Sequence, residues 1–131
     1  MTAAVFNFSG ENAVEQGATW QFPLRLTILP EGETVRVPVD ITGWDFRMQV
    51  REKDQDGPIV IELTVGNGLI IIGDPTDGQF AIIVDDVTTD AFVAAQFKQA
   101  VYDLEGIEPT PSDVVHRLLE GDVDLNLNIT R

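Results

Sequence analysis

The chain has 131 residues, 44% of them hydrophobic and 23% charged, the size and balance of one folded domain rather than of a disordered segment. Its formal net charge is −14, from 22 acidic against 8 basic residues, so phosphate backbones and anionic bilayers are repelled and neither nucleic acid nor a membrane is expected as a partner. It has no cysteine, which excludes a disulfide framework, a Cys-based zinc site and a thiol nucleophile.

A domain of this length buries roughly two thirds of its unfolded surface and folds without covalent staples. The absence of cysteine fits folding in a reducing cytoplasm. The acidic excess is compatible with a basic partner or a cation-rich interface, and equally with solubility alone.

Along the chain, Met1 to Gly10 has no basic segment and no long apolar run, so it does not read as a signal peptide, and no run is long enough to span a membrane. From there the dominant pattern is two-residue alternation. Trp20, Phe22, Leu24, Leu26 and Ile28 are apolar at every second position, which predicts a strand with one buried face. Pro23 lacks an N–H and favours an edge or bulge there. Trp44, Phe46, Met48 and Val50 repeat the pattern, as do Ile59, Ile61, Leu63 and Val65, and then Phe80, Ile82 and Val84. Asp86 to Ala95 carries a helix signal of one or two turns near 88–95, with a cap at Thr88 or Thr89. Lys98 to Leu104 returns to strand, and Glu105 to Asp113 reads as a surface loop. Glu120-Gly121-Asp122 reads as a tight turn joining Val114–Leu119 to Val123–Ile129 in a final hairpin.

Turn signals separate the earlier runs: Pro30-Glu31-Gly32, Asp54-Gln55-Asp56-Gly57-Pro58, Gly66-Asn67-Gly68 and Gly73 to Gly78. Short strands with short connections predict an all-β fold, a single Ig-like antiparallel β-sandwich of about eight or nine strands spanning residues 1–131 as one domain.

The residues that carry chemistry are few. His116 is the lone histidine, and Ser9 and Ser112 are the serines that a triad with it would use, but neither sits in a Gly-x-Ser-x-Gly elbow. Asp122 with Asp124, and Asp85 with Asp86, are the nearest carboxylate pairs, and they read as a solvated acidic surface. Asp54-Gln55-Asp56-Gly57 echoes half of a calcium loop without its remaining ligands. Gly66-Asn67-Gly68 lacks the Lys-Ser/Thr of a phosphate loop and reads as a hairpin turn. Asn128-Ile129-Thr130 matches a glycosylation triplet but has no secretory signal beside it. Trp20 and Trp44 fall in phase with the apolar alternation, which marks them as core rather than as a sugar platform. The chain is therefore expected to have no catalytic residues, no cofactor and no metal, and not to be an enzyme.

Two stretches carry a resemblance. Glu15-Gln16-Gly17-Ala18-Thr19-Trp20 leads into the first alternating strand, and Pro38 to Arg51 follows it, with Val39-Asp40-Ile41-Thr42-Gly43 as a turn that opens the next strand. They resemble the N-terminal domain of phage baseplate upper proteins and related β-sandwich domains of phage tail-fibre and baseplate regions, where a Val-Asp-Leu-Thr-Gly turn does the same. Tyr102-Asp103-Leu104, and Gly121-Asp122-Val123 through Thr130-Arg131, are similar to small phage and prophage virion proteins of that type. The likeness covers most of the chain and is strongest from 15 to 65. Its motifs are turn and strand signatures.

The resemblance implies a structural virion protein of the tail, baseplate or neck, a fibre-attachment or adaptor module with no catalytic residues. The alternatives are a capsid decoration protein and a carbohydrate-binding module. Baseplate upper proteins continue into a coiled or receptor-bearing region, whereas this chain stops at Arg131, which favours an adaptor, collar or decoration role over a fibre. The implied partners are other virion proteins (tail, baseplate or fibre subunits) and further copies of itself, in a virion assembled in the host cytoplasm. Val5, Phe6 and Phe8 form the candidate docking strand: Thr2 to Phe8 is expected either to complete this sheet or to pair with a neighbour.

Overall fold

The computed structural model describes residues 3–53, 56–67 and 70–127. The Asn128-Ile129-Thr130 triplet, the end of the last alternating run, Thr2, Asp54, Gln55 and Gly68 lie outside the described residues.

The alternating runs around 46–50, 59–63 and 80–84 become strands. The strands are β1 (Ala4–Val5), β2 (Val14–Glu15), β3 (Trp20–Arg25), β4 (Thr27–Ile28), β5 (Val37–Pro38), β6 (Asp45–Arg51), β7 (Ile59–Thr64), β8 (Ile70–Ile72), β9 (Gln79–Val84), β10 (Val101–Ile107), β11 (Val115–Asp122) and β12 (Leu125–Asn126), with one short helix α1 (Asp86–Asp90). The fold is all-β. Among the described residues the strands form four hydrogen-bonded sheets: a five-stranded sheet in the order β1-β11-β10-β6-β7, a three-stranded sheet β3-β9-β8, and the pairs β12-β2 and β4-β5.

In β6, Phe46, Met48 and Val50 are fully buried while Arg47, Gln49 and Arg51 face out, and β9 buries Phe80, Ile82 and Val84 in the same way. With Leu63 of β7 and Tyr102 and Leu104 of β10 they form one hydrophobic cluster. Each large side chain so buried contributes roughly 1.5–3 kcal/mol. The rings of Phe46 and Phe80 stack at 4.3 Å, tying the five-stranded sheet to the three-stranded one. β3, which carries Pro23, is an edge strand, the position a residue without an N–H tolerates.

The turns are held by their own side chains. Asp40 Oδ1 accepts from the Thr42 N–H and hydroxyl at 3.0 and 2.6 Å, and the Trp44 N–H closes the turn onto the Ile41 carbonyl. Asp74 does the same for Thr76 between β8 and β9. Gly78 follows with φ +73, and a Cβ there would lie 2.4 Å from the Leu26 carbonyl oxygen.

Several expectations are corrected. The run from Trp20 to Ile28 breaks at Leu26, whose N–H goes to Gly78 and whose carbonyl accepts from Val39, so Thr27 and Ile28 leave for a separate pair with β5. Gly66-Asn67-Gly68 is not a hairpin turn: β7 and β8 belong to different sheets, and Val65–Asn67 is a 3-10 turn on the crossing between them. The helix cap is Asp85, not Thr88 or Thr89, and a separate 3-10 turn at Ala94–Phe97 delays the next strand to Val101. That strand then continues through Ile107, so the surface loop shortens at its front.

Among the described residues the final hairpin does not form. β11 runs straight through Glu120-Gly121-Asp122, paired with β10 throughout. Gly121 is needed for a different reason: a Cβ there would sit 2.2 Å from the Phe6 carbonyl oxygen, so only glycine lets the N-terminal strand approach. That approach also corrects the purely antiparallel expectation. β1 pairs with β11, and β12 with β2, in parallel, because each pairing joins the two ends of the chain running the same way.

Candidate docking site

The predicted docking strand divides between core and surface. Alternation sends Phe6 and Phe8 inward and leaves Val5, 71% exposed, on the surface. Phe8 is fully buried and packs edge-on against Trp20 and Phe22, with Tyr102 at 5.0 Å. Phe6 packs against Phe8 and Phe22. Residues from Ala4 to Phe8 thus lie on the chain's own β11.

Five polar contacts pin the segment, one of them from the Asp124 N–H to the Phe8 carbonyl at 2.8 Å. The Phe6 and Phe8 N–H groups donate to the Glu120 and Asp122 carbonyls at 3.0 and 2.9 Å. The Tyr102 hydroxyl donates to the Phe6 carbonyl at 2.7 Å, and the Asp122 N–H donates to Asn7 Oδ1 at 3.0 Å. Burial, with the Glu120 carboxylate second, pushes the Tyr102 pKa well above the usual tyrosine range, so the hydroxyl stays a donor.

β1 covers only Leu119 and Glu120 of β11. Among the described residues, Val115 to Leu118 have no strand on that side. Beside this open edge lies an apolar groove of about 320 Å³, floored by Leu24, Leu26, Leu118 and Leu119 and rimmed by Ile28, Leu29 and Arg36. Ile28 and Leu29 are about half exposed, at 48% and 47%. The Arg36 guanidinium donates to the Thr27 hydroxyl and carbonyl at 2.7 and 3.0 Å, both neutral oxygens. An open backbone edge over an apolar floor is the arrangement that accepts an added strand.

A larger hollow of about 700 Å³ lies on the outer face of the five-stranded sheet, where Arg51 and Lys53 mix with Asp103, Glu120 and Asp122. Asp103 is half-buried. Desolvation first, and then Glu105, raise its pKa, against the pull of Arg117, Arg47 and Arg51. Arg47 pairs with Glu105 at 3.0 Å.

A scan against protein-family models finds no match to the chain, and a search of curated proteins finds none either.

The other residues singled out from the sequence fall as follows. His116 Nε2 lies 2.6 Å from Glu108 Oε2, and Ser112 Oγ donates to Glu108 Oε1 at 3.3 Å. The carboxylate stands between serine and histidine, so His116 is not placed to take the Ser112 proton. Glu108 is the member that alternation could not reveal, because it lies in the loop after β10. The His116 ring stacks on Trp44 at 5.4 Å, and Trp44 stacks on Phe46, while Trp20 is 6% exposed. Asp85 accepts from the Thr88 N–H at 2.8 Å and caps α1. Asp86 accepts from the Val87 N–H, and Asp122 and Asp124 are exposed. Of the half calcium loop, Asp54 and Gln55 lie outside the described residues, and the Gly57 carbonyl accepts from Arg51 at 2.9 Å.

Proposed function

We propose that the chain is a structural protein of a bacteriophage virion, sited in the tail, baseplate or neck, and acting as a fibre-attachment or adaptor module on an Ig-like β-sandwich of eight or nine principal strands. The observation that carries this reading is the open edge of β11 at Val115–Leu118 above the apolar groove. A neighbouring tail, baseplate or fibre subunit docks there by an extended segment whose alternate apolar side chains fill the groove. Arg36, bonded among the described residues only to neutral oxygens, offers a charge to an acidic group on that segment. The common core of the five- and three-stranded sheets supports the sandwich, and the likeness of residues 15–65 to baseplate domains supports the location. The role is mechanical, with no catalytic step.

Mass spectrometry of purified particles tests the location, and imaging of labelled particles separates tail from capsid. The double variant Ile28→Asp, Leu29→Asp changes two half-exposed residues, so it is expected to fold and yet to drop out of particles. Particles that never contain the wild-type chain sink the virion reading. Particles that incorporate the variant as well as wild type sink the groove as the attachment point.

A further inference from the structure

The dipeptide Asp-Gly occurs twice in the chain, at Asp56-Gly57 and at Asp77-Gly78. Where glycine follows aspartate, no side chain shields the main-chain nitrogen, so that nitrogen can reach the carboxyl carbon of the residue before it. The fold gives the two copies opposite surroundings. Asp77-Gly78 is locked. Asp77 ends the 3-10 turn Pro75–Asp77, with its N–H on the Asp74 carbonyl at 3.1 Å. Its carboxylate accepts from Arg25 at 2.5 Å and from Gln79 at 2.8 Å. Arg25 first, and then Gln79, hold its pKa below the usual carboxylate range, so it stays ionised and is a poor electrophile. The Gly78 N–H donates to the Pro75 carbonyl at 3.2 Å, and the Gly78 carbonyl accepts from Leu26 at 2.8 Å. Nitrogen and carboxyl carbon are thus both held in place.

Asp56-Gly57 lies in the connection between β6 and β7 instead. Asp56 and Pro58 are exposed. The connection is tied down past the dipeptide's reactive atoms: the Gly57 carbonyl accepts from Arg51 at 2.9 Å, and the Pro58 carbonyl accepts from the Glu52 N–H at 2.9 Å. Among the described residues the Gly57 N–H donates to no acceptor. A surface connection outside the strand ladders has the freedom to take up the bend that ring closure needs.

We infer that Asp56 is a site of spontaneous covalent modification, isomerising to isoaspartate, and that Asp77 is protected from the same reaction. With the Asp56 carboxyl protonated, the Gly57 nitrogen attacks Cγ. A C–N bond forms and closes a succinimide ring, and the carboxyl hydroxyl leaves with the amide proton as water. Water then opens the ring at either carbonyl. Breaking the bond from nitrogen to Cγ restores aspartate. Breaking the bond from nitrogen to the main-chain carbonyl carbon leaves isoaspartate, with the backbone now running through Cβ and Cγ. One water leaves and one returns, so no oxidant, reductant or cofactor is needed. The product lengthens the main chain by a methylene between β6 and β7 and carries the former main-chain carboxyl as its side chain. Asp56 lines the hollow of about 700 Å³ on the outer face of the five-stranded sheet, so the modification reshapes the rim of that hollow. The docking edge of β11 plays no part in this reaction, and the inference stands apart from the functional proposal.

Peptide mapping of the purified full chain, with fragmentation that tells isoaspartate from aspartate, tests this. The chain is incubated at neutral pH both native and unfolded in urea, until the unfolded sample has reacted at both dipeptides. In the native chain Asp56 is expected to convert at close to the unfolded rate. Asp77 is expected to convert at least about tenfold more slowly, the factor that corresponds to ~1.4 kcal/mol of hydrogen bonding broken before attack. Asn67 precedes Gly68, which lies outside the described residues, and loss of ammonia there changes the mass, whereas isomerisation does not. Gly57→Ala should slow conversion at Asp56, and Arg25→Ala should speed it at Asp77, both with unchanged far-UV circular dichroism. Equal conversion at the two positions in the native chain overturns the inference, as does a native Asp56 protected as strongly as Asp77.

Discussion

The two kinds of strand pairing in this molecule are built differently. The centre, β10 with β6 and β6 with β7, is antiparallel and long, with seven register pairs between β10 and β6. The terminal seam, where the first sixteen residues meet the last described ones, is parallel and made of fragments. Ala4 and Val5 lie on Leu119 and Glu120, Phe8 bridges Val123, and after an excursion through the 3-10 turn Gly10–Asn12 the chain returns to set Val14 and Glu15 on Leu125 and Asn126. The centre is held by ladder and core together. The seam is stitched by backbone bonds spread over short pieces, at Phe6, Phe8, Val14 and Gln16, and leans on single residues: Phe8, Tyr102 and Asn7 through their side chains and Gly121 through the lack of one. A fold can thus close its ends by anchoring one aromatic residue and clearing space for one carbonyl.

The most severe way to break the seam is to remove its anchor. Phe8→Ala is expected to cost about 3–5 kcal/mol, the range for a fully buried aromatic, against near zero for Val5→Ala on the exposed side of the same segment. Urea denaturation followed by tryptophan fluorescence reads both. Equal, small effects would mean that the seam is not part of the cooperative fold. Gly121→Ala comes next. Its Cβ meets the Phe6 backbone, which cannot yield as a side-chain tip does, so a loss of about 1–3 kcal/mol follows. Hydrogen exchange locates that loss: the Phe6 and Phe8 amides should lose protection while β6 and β7 keep theirs. Uniform loss across all strands would deny that seam and centre are separable.

Tyr102→Phe isolates one bond. It leaves the Phe6 carbonyl without its 2.7 Å donor and removes little volume, so roughly 1 kcal/mol is expected. A value near that of Gly121→Ala would show the hydroxyl to be as important as the clearance itself.

The same division explains what could be read from the sequence. The centre was legible because alternation is local: Phe46, Met48 and Val50 declare their face without reference to a partner, and so do Phe80, Ile82 and Val84. The seam was not, because a two-residue strand has too little pattern to name a partner more than a hundred positions away. Gly121, a glycine between acidic residues, carries the local signature of a turn. Its phase held the clue: Leu119, Gly121, Val123 and Leu125 keep a single unbroken two-residue step, which a turn would have reset. Of the docking strand, the apolar type of Val5, Phe6 and Phe8 signals burial for all three; Phe6 and Phe8 pack into the core and Val5 stays exposed. The open edge at Val115–Leu118 and the groove below it depend on where β4 leaves β3, which a hydrogen bond from Leu26 to Gly78 decides.

The smallest predicted effect lies in the centre and sharpens the contrast by its sign. Asp103 faces outward from β10, between Gln49 and Glu120, and desolvation raises its pKa above 3.8. Between 3.8 and that higher value the folded chain holds more protons than the unfolded one, so stability falls as pH rises through the window, and the full penalty is present at pH 7. Asp103→Asn removes it. The variant should melt above wild type at pH 7, and the difference should close as pH is lowered through the folded pKa toward 3.8. Asp40 has the opposite sign, because the Thr42 hydroxyl and then its N–H lower its pKa, and what it contributes is lost as pH falls. If Asp103→Asn instead melts below wild type at pH 7, attraction to Arg117, Arg47 and Arg51 outweighs burial, and the outer face of the centre is held by its charges rather than in spite of them.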